Sequence, residues 1–381
     1  MTKKKIRVLI NFSTLKSGGG QNVGLNFIYS LPTQDLEQFE LYFLVAENTA
    51  IYEALIENKY NILFVTSKNP LKRIFQEVVF VSHLIKKNKI KVVYSYFGIG
   101  LFVGKVNQIS GSADSNLYFP EINFWSHYQG LTRLKRWLVD RYRIFGLKYS
   151  RAVIYENSIL ETNSKTIYNL KETKYIKPSV NFDIKLFDYI LPFEKSRDLK
   201  VGLFLCGWQL NKNIMMMPSI ARGLKDKGEN FKFIITAPVD DSIECSEFQK
   251  EMIRLGVEND IYIVGSIEKR FLSSLYTQID FVFLLSLLES FSNNIIEAWY
   301  FEKPLIISSE KWAESICQDA AFYVNRDSCE DIVNKISKLI ISEDLVIDTV
   351  RKGKDILSTY PTISQRTKEE LEYIRYVSEN Y

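Results

Sequence analysis

The sequence predicts an α/β protein built from two doubly wound parallel sheets. Three observations carry this. Short apolar runs alternate with helical patterns of ten or more residues, which requires parallel strands covered on both faces. The pattern pauses over Lys177–Arg197, where Pro178, Pro192 and weak periodicity suit a connection, and then restarts. The chain has 381 residues, 46% hydrophobic and 25% charged, enough for two soluble domains. The bounds are drawn at 1–185 and 199–358, with residues 359–381 as a C-terminal helix packing back across the first domain.

Each element follows from its local pattern. Arg7–Phe12 is a run of branched apolar residues and reads as a strand. The loop Ser13–Gly20 and a helix near Asn22–Leu31 come after it. Leu41–Val45 and Ile62–Val65 are the next strands, and a basic, partly apolar helix covers about residues 71–88. Lys91–Ser95 and Leu117–Phe119 read as strands, residues 131–149 as a long helix, and Ala152–Tyr155 as a strand. In the second half the predicted strands are Lys200–Cys206, Phe231–Thr236, Ile261–Val264, Asp280–Leu285 and Leu305–Ile307. The intervening helices are Asn213–Lys225, Ser246–Leu255, Phe271–Tyr276 and Ile295–Phe301, the last ended by Pro304. Residues 329–342 and 362–380 are further helices. Ligands of such sheets bind beyond the carboxyl ends of the strands, so the natural site is a cleft between the two domains.

Composition excludes several functions. A formal charge of +4 is too small to argue for nucleic acid. Cys206, Cys245, Cys317 and Cys329 form no CxxC pair, and with His83 and His127 they make no zinc site of familiar spacing. Reduced thiols in a cytoplasmic protein are the plain reading. The start MTKKKIRVLINF lacks an apolar region of signal-peptide length, and no apolar run reaches the ~18 residues of a membrane span.

Two glycine-bearing loops precede helices. Gly18, Gly19 and Gly20 let a backbone approach a ligand and offer amides to an anion. Val23 occupies the place of the third glycine of a GxGxxG site, so a dinucleotide fingerprint is incomplete, and a flexible turn is the alternative. Gly207-Trp-Gln-Leu-Asn-Lys-Asn213 places Lys212 near a helix start, where it is either a point charge on a phosphate or a solvated lysine.

The segment from Ser286 to Glu310 sets Glu289 and Glu297 around the polar hinge Ser292-Asn293-Asn294. Were both glutamates helical, they would lie ~12 Å apart along the axis and ~80° around it. A glycosidase pair needs roughly 5–9.5 Å, so that role fits poorly. Two alternatives remain. Glu289 sits in a strand-to-helix loop, the amides of Ser292–Asn294 face a phosphate, and both acids grip hydroxyls of attached sugars. Otherwise one glutamate caps the helix and the other is solvated.

The stretch Glu289–Ser308 resembles the E-x-F-G-x-x-x-x-E-A-x-x-x-G-x-P-V-I-x-S segment of family 4 glycosyltransferases, retaining enzymes of the GT-B fold. Asp280–Ser286 is similar to their preceding strand, Ala313–Val324 to their "pE-xxxdaAxyv" segment, Lys212-Asn213 to their phosphate-binding loop, and Gly18–Gly20 to their N-terminal glycine loop. The resemblance implies two Rossmann-like domains facing an interdomain cleft. It implies a UDP- or GDP-sugar donor and neither a metal nor another cofactor. Glu297 would bind ribose hydroxyls, Glu289 a hydroxyl of the transferred sugar, and Lys212 the diphosphate. Amides of Gly207, Asn213 and those after Phe291, at Ser292, Asn293 and Asn294, would cradle the donor with Gly18, Gly19 and Gly20. Ser292 stands where the family carries glycine, so its backbone must avoid positive φ or accept strain. Trp208 lies near a common arginine. Glu121, Asn123 or His127 takes the place of the family's first-domain histidine, with Glu121 preferred as catalytic.

The implied activity is transfer to a glycan or lipid-linked glycan hydroxyl in surface polysaccharide assembly. A nucleotide-sugar epimerase of the same fold and a non-catalytic glycosyltransferase-like partner are the alternatives. Finally, Leu131, Leu134, Leu138, Tyr142, Phe145 and Tyr149 share one helical face, opposite Arg133, Arg136, Arg143 and Arg151. Either this is a core helix with a solvated basic face, or Arg133–Arg151 joins Lys86–Lys91 as a patch for anionic lipid. The latter predicts a protein peripheral at the inner face of the plasma membrane.

Overall fold

A computed structural model describes residues 5–98, 100–101, 104, 106–180 and 187–381. The boundary expected at residue 185, residues 181–186 of the connection and the first four residues of the basic start lie outside them. The chain divides into two units: Met1–Asn181 with Pro361–Tyr381, and Phe182–Tyr360.

The first unit runs β1 (Ile6–Phe12), α1 (Gly18–Ser30), β2 (Phe39–Ala46), α2 (Ala50–Glu57), β3 (Ile62–Thr66), α3 (Pro70–Gln76), a π-turn over Glu77–Val81, α4 (Ser82–Lys87), β4 (Val92–Ser95), β5 (Asn107–Ser112), α5 (Gly130–Tyr149), β6 (Ala152–Tyr155), α6 (Ser158–Tyr168) and β7 (Thr173–Tyr175). Its sheet has the order β3-β2-β1-β4-β5-β6-β7, all parallel. The central strands β1, β2 and β4 are apolar runs largely buried on both faces, whereas the edge strands β3 and β7 are only partly buried.

The second unit runs β8 (Lys200–Phe204), α7 (Met217–Asp226), β9 (Phe231–Ile235), α8 (Ile243–Leu255), β10 (Ile261–Ile263), α9 (Lys269–Gln278), β11 (Phe281–Leu284), α10 (Asn293–Tyr300), β12 (Leu305–Ser308), α11 (Lys311–Cys317), β13 (Phe322–Val324), α12 (Cys329–Ile340) and α13 (Glu343–Leu357). Its order is β10-β9-β8-β11-β12-β13, again parallel throughout. The strand order switches between β1 and β4 in the first sheet and between β8 and β11 in the second, which places a ligand crevice at the carboxyl ends of those strands.

The last helix, α14 (Ile363–Asn380), belongs to the first unit. Thr362 and Gln365 form a reciprocal capping box at its start. Leu371, Ile374 and Val377 enter the apolar core of β1 and α1. A buried polar cluster adds specificity. Arg366 bonds Glu156 at 2.8 Å and Glu370 at 3.1 Å, and the Tyr96 hydroxyl donates to Glu370.

Three expectations are corrected. Leu117–Phe119 is no strand: a 3-10 turn spans Ser115–Leu117, and the sheet position goes to β5, whose polar sequence NQISGS hid it. The helix expected from Asn213 starts at Met217, because Asn213 is left-handed (φ +63°) and Pro218 occupies the first turn. The first-domain glycines lie in the opening turn of α1 rather than ahead of it.

The core reading of α5 also fails. Only Gly146 and Leu147 of its 20 residues are buried. The unit is contacted from the side of Asp140, which accepts from Asn116 (2.9 Å) and Trp125 (2.7 Å), and of Arg143, paired with Asp114 at 3.2 Å. The leucine and tyrosine stripe therefore faces outward.

Candidate functional site

Residues of the quoted motif meet at the crevice of the second sheet. The loop after β8 carries Cys206–Asn213, and the loop after β11 carries Leu285–Ser292. Three ties hold these loops together. Leu287 N–H donates to Asn211 O at 2.7 Å, Asn211 Nδ2 to Leu288 O at 3.3 Å, and Asn294 Nδ2 to Leu205 O at 3.0 Å.

Lys212 and Glu289 form an ion pair, both side chains largely buried. Ser286 Oγ donates to the same carboxylate oxygen at 2.7 Å. The pair presents a cation and an acceptor side by side, in surroundings where charge interactions are stronger than in water. Lys212 lies in a 3-10 turn, Leu210–Lys212, so its position comes from this loop and not from a helix start as expected.

α10 opens at Asn293 with Ser292 as its N-cap residue, and Ser292 makes no side-chain cap. Its first-turn amides are oriented along the helix axis, where anions are stabilised. Ser292 has φ −131°, so the serine-for-glycine exchange brings no strain. Glu289 is in the loop before this helix and Glu297 one turn inside it. The helix is fixed from behind by Trp299, whose Nε1 donates to Ala320 O at 3.0 Å. A Cβ on Gly353 of α13 would lie 2.2 Å from that indole, so only glycine permits this approach.

Glu297 accepts from the Tyr276 hydroxyl at 3.0 Å, and Tyr276 is stacked on Phe301 at 4.5 Å. Burial pushes the Glu297 carboxyl up to about 7, against the opposing effects of the Tyr276 bond and Lys269. A carboxyl raised this way stabilises the fold below its unfolded value of about 4.5 and loses that contribution as pH rises through about 7. Glu297→Gln should therefore flatten the stability profile between pH 5 and 8, by at most about 3 kcal/mol. Parallel melting-temperature profiles for the two proteins would contradict it.

Arg326, in the loop after β13, was not singled out by the sequence. Its Nε donates to Leu285 O at 3.0 Å and its Nη2 to Asn211 O at 3.4 Å. Its own carbonyl accepts from Asn213 Nδ2 at 2.6 Å. The guanidinium thus fastens both crevice loops to a third. Burial lowers its pKa from the ordinary arginine value. An isolated arginine in an aperiodic loop leaves no pattern by which it could have been found.

The other nominated residues fall as follows. Gly207 follows β8, its N–H bonded to Gln209 Oε1 at 3.2 Å. Trp208 Nε1 donates to Pro238 O at 2.7 Å and its ring packs on Phe248. Phe291 packs near Tyr360, 6.1 Å between ring centres. In the first unit, Gly18–Gly20 follow β1, and a Cβ on Gly18 or Gly19 would meet no atom within 4 Å. Glu121, Asn123 and His127 all lie exposed in the loop after β5. Among the described residues no group of three or more His, Cys, Asp or Glu is placed to hold a metal ion.

Comparisons with known proteins bear on the fold and on the second unit. The family profile "Glycosyl transferases group 1" matches residues 194–355, most of the second unit. No curated protein sequence matches the chain significantly. Among solved structures, a glycosyltransferase from Rickettsia africae shares 16% identity at TM-score 0.73, over 99% of this chain and 100% of that one. HepE of Anabaena, in complex with UDP and glucose, shares 16% at TM-score 0.68 over 97% and 100%. A sucrose-phosphate synthase from Thermosynechococcus elongatus shares 13% at TM-score 0.73 over 99% and 100%. The fold is that of the GT-B glycosyltransferases, with two Rossmann-like domains. The second unit carries the match to the group 1 glycosyl transferase domain.

Proposed function

We propose that the protein transfers a sugar, with retention of anomeric configuration, from a nucleotide diphosphate donor to a hydroxyl of a glycan or lipid-linked glycan in surface polysaccharide assembly. The observation that supports this best is the convergence of Lys212, Glu289, the α10 amides and Glu297 on one sheet crevice. Before donor binding Lys212 and Glu289 neutralise each other. A pyrophosphate entering the crevice takes the ammonium, and Glu289 is then free to accept from a hydroxyl of the donor sugar. Glu297 accepts from the ribose.

As the glycosidic bond breaks, charge grows on the leaving diphosphate. Lys212 and the first-turn amides of Asn293 and Asn294 stand fixed where that charge develops, so little reorganisation accompanies the reaction. Arg326 holds the lysine's loop. In this reading no metal is invoked. The open glycines of α1 and Glu121 belong to the sugar and acceptor side. The neighbouring Anabaena protein binds UDP and glucose, and UDP- and GDP-sugars are the donors to try first. We place the enzyme in the cytoplasm, at an anionic inner membrane surface reached through Lys86–Lys91 and Arg133–Arg151.

Incubation with a panel of nucleotide sugars separates three readings. Slow hydrolysis to the nucleoside diphosphate supports transfer, conversion of the sugar supports an epimerase, and binding without change supports a non-catalytic partner. Donor hydroxyls that bond the Glu297 carboxylate favour its ionised form. Nucleotide binding near pH 7 should therefore release protons, seen in calorimetry as a heat that depends on the buffer's ionisation enthalpy. Buffer-independent heats would remove Glu297 from the donor contacts.

A further inference from the structure

We propose that the outward face of α5, together with α3, the π-turn and α4, inserts into the interface of an anionic lipid bilayer. The identity of the acceptor rests on the function proposed above, but the docking itself does not depend on the donor site.

Two observations combine. The first is apolar exposure. Leu131 is 86% exposed and Leu71 80%, and Leu134, Trp137, Leu138, Phe145, Phe75, Val78 and Phe80 are also open to solvent. Ile74, Leu131, Leu134, Leu138, Val139 and Tyr142 line a shared groove of about 420 Å³, so the two helical segments form one surface. Its inner side is anchored by Val81 and Ile85, which are buried, and by Ser13 Oγ donating to Glu77 at 2.8 Å. A contiguous apolar surface rimmed by polar groups marks a site of protein or membrane contact.

The second observation selects the partner. Residues 70–91 and 130–151 hold thirteen Lys and Arg against two Asp and Glu, in a chain whose whole excess is four. Arg73 and Arg143 are engaged by Glu77, Asp114 and Asp140, and Arg133, Arg136 and Arg151 lie opposite the leucines. Lys135, Arg141 and Lys148 flank the stripe of α5, and Lys86 and Lys87 end α4. An apolar face with such basic flanks is the pattern of a helix lying in the interfacial plane of an anionic surface. Trp137, Tyr142 and Tyr149 supply rings suited to the headgroup level. Among the described residues no helix is long and apolar enough to cross a membrane, so the face lies on the bilayer. The basic residues alone would give purely electrostatic adhesion; the geometry adds insertion.

The test is co-sedimentation with vesicles of phosphatidylcholine alone or mixed with phosphatidylglycerol, at low and at 0.5 M salt (about 4 Å screening length). The wild type should bind the anionic vesicles and keep part of that binding at high salt. Leu131→Glu with Leu134→Glu, both at exposed positions, should weaken it at least about tenfold, with melting temperature and nucleotide diphosphate binding unchanged. Lys135→Gln with Arg141→Gln should weaken it mainly at low salt. Trp137 fluorescence should shift to shorter wavelength on vesicle addition, and Trp137→Phe should lack that shift. Wild-type-like binding by the double glutamate variant would overturn insertion. So would absence of binding to anionic vesicles, or light scattering that shows a dimer dissociated by the same glutamates, which would make a second copy the occupant.

Discussion

Replacing Lys212 with alanine should lower the turnover of sugar transfer by about a hundredfold to a thousandfold, the range seen when one preorganised stabiliser of developing charge is removed. Nucleotide diphosphate affinity should fall by less, because the charge on the leaving group is largest in the transition state. Two consequences of the substitution act together. The diphosphate loses its ammonium, and the Glu289 carboxylate, bonded otherwise by Ser286, is left without its cation next to an incoming anion. Lys212→Arg should restore only part of the rate, since a planar guanidinium cannot occupy the point position of the ammonium beside Glu289. Steady-state kinetics on the preferred donor decides this. A turnover within threefold of wild type would mean that the charge is met elsewhere.

The second large effect is on stability. Arg366→Ala should cost about 3–5 kcal/mol, because it strands the carboxylates of Glu156 and Glu370 in the core without their cation. For a unit of this size that corresponds to a melting temperature lower by roughly 6–20 °C. Burial raises the Glu370 carboxyl, opposed by Arg366 and by the Tyr96 hydroxyl, so the cluster holds together only as a set. Replacing Arg366 and Glu370 jointly by Met and Leu should recover much of the loss. A loss below 1 kcal/mol in the single variant would show that α14 is held by its apolar face alone.

The parts of the fold that were legible are those where pattern and packing coincide. β11, its loop and α10 were readable because a buried apolar run, a polar hinge and a terminating Pro304 follow one another in order. β5 was not, since NQISGS has neither alternation nor a branched run; its burial comes from neighbours on both sides. The start of α7 was misplaced at Asn213: Pro218 does sit in its first turn, but the preceding 3-10 turns have no signature of their own. In α5 the period announced a helix and its apolar stripe, yet a period cannot say which side meets the protein. The stripe faces out because Asp140, Arg143 and Leu147 supply the contacts within the unit. At the site, the two glutamates and Lys212 were nominated from the sequence. Their mutual arrangement, and the part of Arg326 in holding it, arise from long-range bonds that no local spacing encodes.

The central claim is that the crevice between β8 and β11 grips a pyrophosphate through Lys212 and the amides of α10. Isothermal titration of the wild-type protein and of its Lys212→Ala and Glu297→Ala variants with UDP and GDP tests it most directly. The account predicts saturable binding of at least one nucleotide by the wild type, clearly weakened in both variants. Heats no larger than dilution for every nucleotide, or equal affinity in all three proteins, would contradict it.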